Sequence, residues 1–435
     1  MDQVRVKIFA DKDMPRLRYI AGFILGDMMG LDWEIITDKR KLGKNPVINY
    51  SCESVKGSFI IKPEDILFET GVRKPDLKPG EWNGIPVLFM SREGGDLPFD
   101  IFAASFYLVS RYEEYLPFTG DEHGRFTARN SAAFKYGFLL KPVVDLWIRE
   151  FKKHLVVRFQ NLVFRKNKYR SLVTVDIDEP FEYLGKDVLR NIGNLLKELG
   201  SKSGKAGERY RTVTKGEKDP WDVFDYITDT VAETGSEARF FIPVGERSKF
   251  DHQPSWNNEE YRKLIRRISS AFDTGLHPSY YASSDNEKLA TEKERLEKLI
   301  GSRINTSRFH YLMNSFPDSY MNLLANGITE DYSLGYADEP GFRAGTAQPF
   351  FFYNLITDKQ TRLKIIPFQV MDVTLYRYKG YTPEAAAEIV STLIEETRNA
   401  GGLFMTIWHN TSLLDTGEWH GWRGVFESML KMQKS

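Results

Sequence analysis

Four short stretches of the chain combine residue types able to do chemistry. Thr174-Val175-Asp176-Ile177-Asp178 runs an apolar segment into two aspartates spaced two apart. In an extended backbone, residues i and i+2 share a face, so one carboxylate can bind a metal while the other acts as a general base. The plainer alternative is a loop in which an aspartate caps a helix. Gly275-Leu276-His277-Pro278-Ser279 puts a histidine between an apolar run and a proline, either as a ligand or as a structural ring. Ser307-Arg308-Phe309-His310-Tyr311 offers an arginine to orient a carboxylate and a histidine to bind metal, or else a surface ion pair and a packed ring. Thr406-Ile407-Trp408-His409-Asn410 ends on a histidine that could be a general acid or a buried ring bonded to backbone. Each signal is weak alone. Their shared placement, each at the end of a strand-like run, gives them weight. Of the seven histidines, His123, His154, His252 and His420 have no such placement.

The elements that must position these residues come from the alternation of apolar runs with amphipathic ones. Strands are predicted at 172–175, 238–242, 271–275, 304–308, 327–333, 365–373 and 403–408. Between them, helices are predicted from Asp219-Pro220 onward, over 258–270, 285–300 and 317–325, and over 383–398 with Thr382 as cap and Gly401-Gly402 as stop. Seven strands alternating with helices imply right-handed βα units, hence an α/β fold with a barrel or part-barrel of the triose-isomerase kind, whose functional groups gather at the C-terminal strand ends. A smaller α/β domain precedes it. There, strands are predicted at 4–10, 33–37, 58–62 and 85–90, and helices over 97–116, with Pro98 near its start, and 143–155. The join falls near 166–170, giving domains 1–167 and 168–435. The Lys-, Gly- and Ser-rich stretch 201–218 reads as a mobile surface loop.

Composition bounds the partners. The 435 residues carry 60 Lys plus Arg against 60 Asp plus Glu, so no net charge argues for nucleic acid. The one cysteine, Cys52, cannot form an internal disulfide and implies no oxidising compartment. No stretch approaches the ~20 apolar residues of a membrane span, and the start lacks a signal-peptide run. A cytoplasmic protein is therefore expected, with its oligomeric state open.

The order Thr-x-Asp-x-Asp, Gly-x-His, Arg-x-x-Tyr and a late histidine resembles the polysaccharide deacetylases, carbohydrate esterase family four, over roughly residues 170 to 430. Tyr332-Ser333-Leu334-Gly335-Tyr336, Gly341-Phe342-Arg343-Ala344-Gly345-Thr346 and Pro349-Phe350-Phe351-Phe352-Tyr353 are similar to a bacterial branch with an extra N-terminal domain of unknown role. The resemblance implies a divalent metal, commonly zinc, and hydrolysis of a carbon–nitrogen bond: removal of an acyl group, typically N-acetyl, from an amino sugar or glycan precursor. It implies Asp176 as base, Asp178 and His277 as ligands, Arg308 as the residue orienting the base and His409 as general acid. Where the family has a second histidine four residues after the first, this chain has Tyr281, and a phenol substitutes poorly for imidazole toward zinc. His310 stands where the family usually has proline, and is expected to restore the lost ligand. Arg343, Trp408 and Tyr281 are expected to bind substrate. Two other readings stay open: hydrolysis of a non-sugar C–N bond on the same barrel, and a non-catalytic carbohydrate-binding or assembly protein.

Overall fold

A computed structural model of the chain describes residues 5–91, 94–185 and 205–434. The chain divides into two units, Met1–Arg170 with Leu334–Gln369 and Leu393–Phe404, and Ser171–Ser333 with Val370–Thr392 and Met405–Ser435. The first break lies close to the expected join. The two later segments of the first unit come from the part of the sequence expected to belong to the barrel.

In the first unit, β1 (Arg5–Ala10), β2 (Asp32–Ile36), β3 (Val47–Tyr50) and β4 (Phe59–Ile60) form a parallel sheet in the order β2-β1-β3-β4. β5 (Gly80–Trp82) and β6 (Ile85–Val87) form a hairpin. Its turn is Asn83-Gly84, both at positive φ, the conformation that a two-residue hairpin loop requires. The helix expected over 97–116 is shorter, Ile101–Val109, followed by a 3-10 turn at Tyr112–Tyr115. Asp100 rather than the segment around Pro98 starts it, its carboxylate accepting from the N–H groups of Phe102 and Ala103. The helix Val143–Arg158 buries Val143, Val144, Trp147, Ile148, Phe151 and Leu155, a stripe with the 3.6-residue period of a core-facing helix.

The second unit is built on β7 (Arg170–Asp176), β8 (Ala238–Ile242), β9 (Asp273–Leu276), β10 (Thr306–Ser307) and β11 (Glu330–Asp331). The chain then contributes an antiparallel hairpin to the first unit, β12 (Phe350–Asn354) with β13 (Lys359–Ile365). It resumes the second with β14 (Val370–Met371) and β15 (Leu403–His409). The strands of this unit lie in the order β11-β10-β9-β8-β7-β15-β14. β7 through β11 pair parallel, as do β14 and β15. Parallel pairing brings their C-terminal ends to one edge, which is what assembles the site.

Helices between the strands follow their caps and apolar periods. Asn258 accepts from the N–H of Tyr261 and starts Glu259–Ala271, which buries Tyr261, Leu264, Ile265 and Ile268. Asp285 caps Asn286–Ile300, and Gly301 in the left-handed conformation ends it. Pro383–Ala400 matches the expected long helix.

Three expectations need correction. The helix expected at Asp219-Pro220 begins at Phe224. Asp219, buried at 2% exposure, instead accepts from the N–H groups of Glu182, Tyr183 and Leu184, pinning the segment that follows β7. The stretch read as a mobile loop contains a helix, Lys205–Lys215, while 201–204 lie outside the described residues. The single strand expected over 365–373 is the end of β13 and the separate β14, because Pro367 cannot donate to a ladder. No helix among the described residues is long and apolar enough to cross a membrane.

Candidate metal centre

The C-terminal ends of the second unit's strands carry Asp176 on β7, His277 after β9, Arg308 after β10, Asp331 on β11, Asp372 after β14 and His409 on β15. Asp178, two residues past β7, is the point on which the histidines converge. Its Oδ1 lies 3.1 Å from His277 Nε2, and its Oδ2 lies 3.4 Å from His310 Nε2 and 3.5 Å from His409 Nε2. One ligand atom from each of Asp178, His277 and His310 falls within 4.8 Å of the others.

Each imidazole is oriented through its other nitrogen. His277 Nδ1 lies 2.6 Å from the Arg308 carbonyl oxygen, which can only accept. His310 Nδ1 donates to Asp251 Oδ1 at 2.9 Å, and His409 Nδ1 to Asp372 Oδ1 at 2.8 Å. With Nδ1 donating in all three, Nε2 is the atom presented to Asp178, the arrangement that fixes ring and tautomer in metal sites. Asp372 is itself held, accepting from the His409 N–H at 2.7 Å and from the Ser412 hydroxyl.

Burial disfavours charge on these groups, but their mutual attraction outweighs it. Burial alone would raise Asp178, yet the His310 charge and the His277 contact hold it well below the usual carboxylate range. Burial lowers His310, but Asp178 and Asp251 push it up to about 10. His409, likewise opposed by burial, is pushed up to about 9 chiefly by Asp372.

The donor set fits a divalent cation. Asp178 Oδ1 and His277 Nε2 are buried and make no hydrogen bond among the described residues, despite their 3.1 Å approach. Buried polar atoms are nearly always satisfied, so two orphans aimed at one point, with His310 Nε2 beside them, mark a place for an ion. Carboxylate plus two imidazoles is a common zinc donor set that leaves a coordination position open.

Beside this cluster, Arg308 is fully buried. Its Nη1 donates to Asp176 Oδ1 at 2.9 Å and to Thr174 Oγ1 at 2.6 Å, and its Nε to the Tyr332 carbonyl at 3.0 Å. Asp176 Oδ2 lies 3.9 Å from His277 Nε2. The structure thus brings together Asp176, Asp178, His277, Arg308, His310 and His409.

The three residues expected to bind substrate have neighbours of their own. Arg343 belongs to the first unit, where it makes a bidentate ion pair with Glu114 at 2.9 and 2.5 Å and donates to the Gly335 carbonyl at 2.6 Å. Trp408 is 1% exposed. As the neighbour of His409 on a strand it faces the opposite side, where its ring meets Phe426. Tyr281 lies on the short turn Tyr280–Ser283, is 48% exposed, and lines a cavity of about 380 Å³ with Asp251, Ser279 and Glu292. Trp419 and Trp422 pack on each other and on Tyr376.

Sequence reasoning missed Asp251 and Asp372. Asp372 sits at the end of an expected strand, so the rule that selected the histidines could have found it. Asp251 lies in the irregular segment after β8 and carries no such mark.

Residues 6–160 match a family of unknown function, DUF7033. No curated protein matches the chain. Among solved structures, the chain is similar to a protein described as a polysaccharide deacetylase from Mycobacterium smegmatis, at 14% identity over 61% of this chain and 84% of that one, with a TM-score of 0.39. It is also similar to a polysaccharide deacetylase from Bacillus cereus, at 12% identity over 62% of this chain and 88% of that one, TM-score 0.31. A third, from Bacillus anthracis, is a pseudoenzyme of carbohydrate esterase family four, at 11% identity over 62% of each chain, TM-score 0.28.

Proposed function

We propose that the chain is a metal-dependent hydrolase that removes an acyl group, in the first instance N-acetyl, from an amino sugar or glycan precursor. We read residues 168–435 as the deacetylase-like part, a distorted (β/α)7-type barrel, and 1–167 as a domain of unknown role. The observation that carries the reading is the convergence of Asp178, His277 and His310, ligand atoms within 4.8 Å of one another, between a carboxylate held by arginine and a histidine held by aspartate.

Asp178, His277 and His310 would hold the cation, zinc being the ion that best suits one carboxylate and two imidazoles. A divalent cation bound there supplies a Lewis acid for the acyl carbonyl and for water. The remaining work belongs to the chain. Arg308 holds Asp176 in place through Nη1 at 2.9 Å, so Asp176 is positioned to take the proton of the attacking water. His409, pushed up to about 9 with Asp372 at its Nδ1, carries its proton at neutral pH and can deliver it to the departing nitrogen. Tyr281 is no obstacle to this scheme, because His310 supplies the second imidazole.

The test is metal content and activity on one preparation. Wild-type protein purified without chelator should hold near-stoichiometric zinc or a similar metal, lost in both Asp178→Ala and His310→Ala, and should release acetate from N-acetylated sugars or their oligomers. Protein that binds no metal even after incubation with zinc rejects the scheme.

A further inference from the structure

We propose that Asp251 is what makes His310 a metal ligand in this chain, an inference that rests on the metal-dependent reading above. The two aromatic ligands are held in different ways. His277 is oriented by the sheet. Its N–H donates to the Ile242 carbonyl, the Arg308 N–H donates to the Leu276 carbonyl, and the acceptor for its Nδ1 is the Arg308 carbonyl itself. His277 therefore finds its partner wherever β9 and β10 pair. His310 lies beyond the end of β10, just before Tyr311 and Leu312, both left-handed at φ 56° and 54°. No ladder carbonyl receives its Nδ1, so a side chain must.

Asp251 supplies it from 59 residues away. It is 1% exposed, and its carboxylate meets three donors. Oδ1 accepts from His310 Nδ1 and from the Tyr280 N–H, each at 2.9 Å, and Oδ2 accepts from the Ser248 hydroxyl at 2.5 Å. Ser248 also binds the Asp251 backbone in both directions, its N–H donating to the Asp251 carbonyl and its hydroxyl accepting from the Asp251 N–H. The carboxylate is thus fixed on its own stem before it meets the imidazole. A flipped His310 ring would turn carbon toward Asp251 and forfeit the bond, so the ring keeps Nε2 toward Asp178. Partners of this kind are worth about 10–100-fold in metal affinity.

The test uses the full chain, stripped with chelator, and two readouts besides activity. One is the zinc dissociation constant by competition with a chromophoric chelator. The other is the visible absorption of the cobalt(II) form. Asp251→Ala and Asp251→Asn should each weaken zinc about 10–100-fold and shift the cobalt bands. Asp251→Ala combined with His310→Ala should bind no more weakly than His310→Ala alone, because the aspartate acts only through that ring. Glu292→Gln is the packing control. Its carboxylate holds the same turn through the Ser279 N–H and hydroxyl and touches none of the three ligands, so its affinity should stay within about twofold of wild type. Additive losses in the double variant, wild-type affinity in Asp251→Ala, or equal damage from Glu292→Gln would each overturn the proposal. Failure of the underlying reading looks different: no zinc bound by wild type, or zinc lost in Asp178→Ala and unaffected by His310→Ala.

Discussion

The two carboxylates at the end of β7 are separated by one residue and by their surroundings. Asp176 meets a guanidinium at 2.9 Å, whereas Asp178 meets three imidazoles. Asp176→Asn and His409→Ala should therefore each lower kcat about 10²–10⁴-fold, the usual range for a lost general base or acid, while leaving metal content near that of wild type. Parallel elemental analysis and steady-state kinetics would check this split. Arg343 predicts the opposite pattern, a loss of stability. Arg343 and Glu114 are both buried, and Arg343→Ala would strand Glu114 beside Arg111 alone. Breaking such a pair costs about 3–5 kcal/mol, readable by urea denaturation. Sequence reasoning reached Asp176, Asp178, His277, Arg308, His310 and His409 because each sits at or just past a strand end, and the strand pattern is local. The pairing of Arg343 with Glu114, 229 residues away, is a separation that no local pattern encodes.

Helix boundaries were legible at the capping side chains Asn258, Asp285 and Thr382, though not at Asp100. They were illegible where the same residue types serve tertiary structure, as Asp219 does in binding the segment after β7. The two-residue strands β10, β11 and β14 are each shorter than the strand expected there. Asp285 gives a direct check. It is partly exposed and caps Asn286–Ile300 through the N–H groups of Glu287 and Lys288. Asp285→Ala should cost about 1 kcal/mol in thermal or chemical unfolding. The same helix carries Glu292, which burial and then the Asp251 charge push up to about 7, against the Ser279 donors. In the unfolded chain a glutamate titrates near about 4.3, so between that pH and about 7 the folded state binds more protons. The contribution of Glu292 is fully present below that window and lost as pH rises through it. Stability measured across it should decline less steeply in Glu292→Gln than in wild type.

At the scale of the whole molecule, the first unit is completed by two late segments, Leu334–Gln369 and Leu393–Phe404. Glu114 binds Arg343, Asp145 accepts from the Ala347 N–H and the Gln348 side chain, and the Val144 N–H donates to the Gly345 carbonyl. A chain trimmed to residues 168–435 keeps Arg343, Ala347 and Gln348 but loses these partners. It should express poorly or bind a hydrophobic dye strongly. The interleaving rests on long-range hydrogen bonds that leave no trace in the local periodicity from which a succession of two domains is expected.

That interleaving also sets an order of events during synthesis. A domain at the front of a chain ordinarily folds while the rest is still being made. Here the ribosome has to travel from Arg170 to Phe404 before the first unit has all its parts. At ordinary elongation rates that is on the order of 10–50 s. For most of that interval, until Arg343 is translated, Glu114 waits for this arginine.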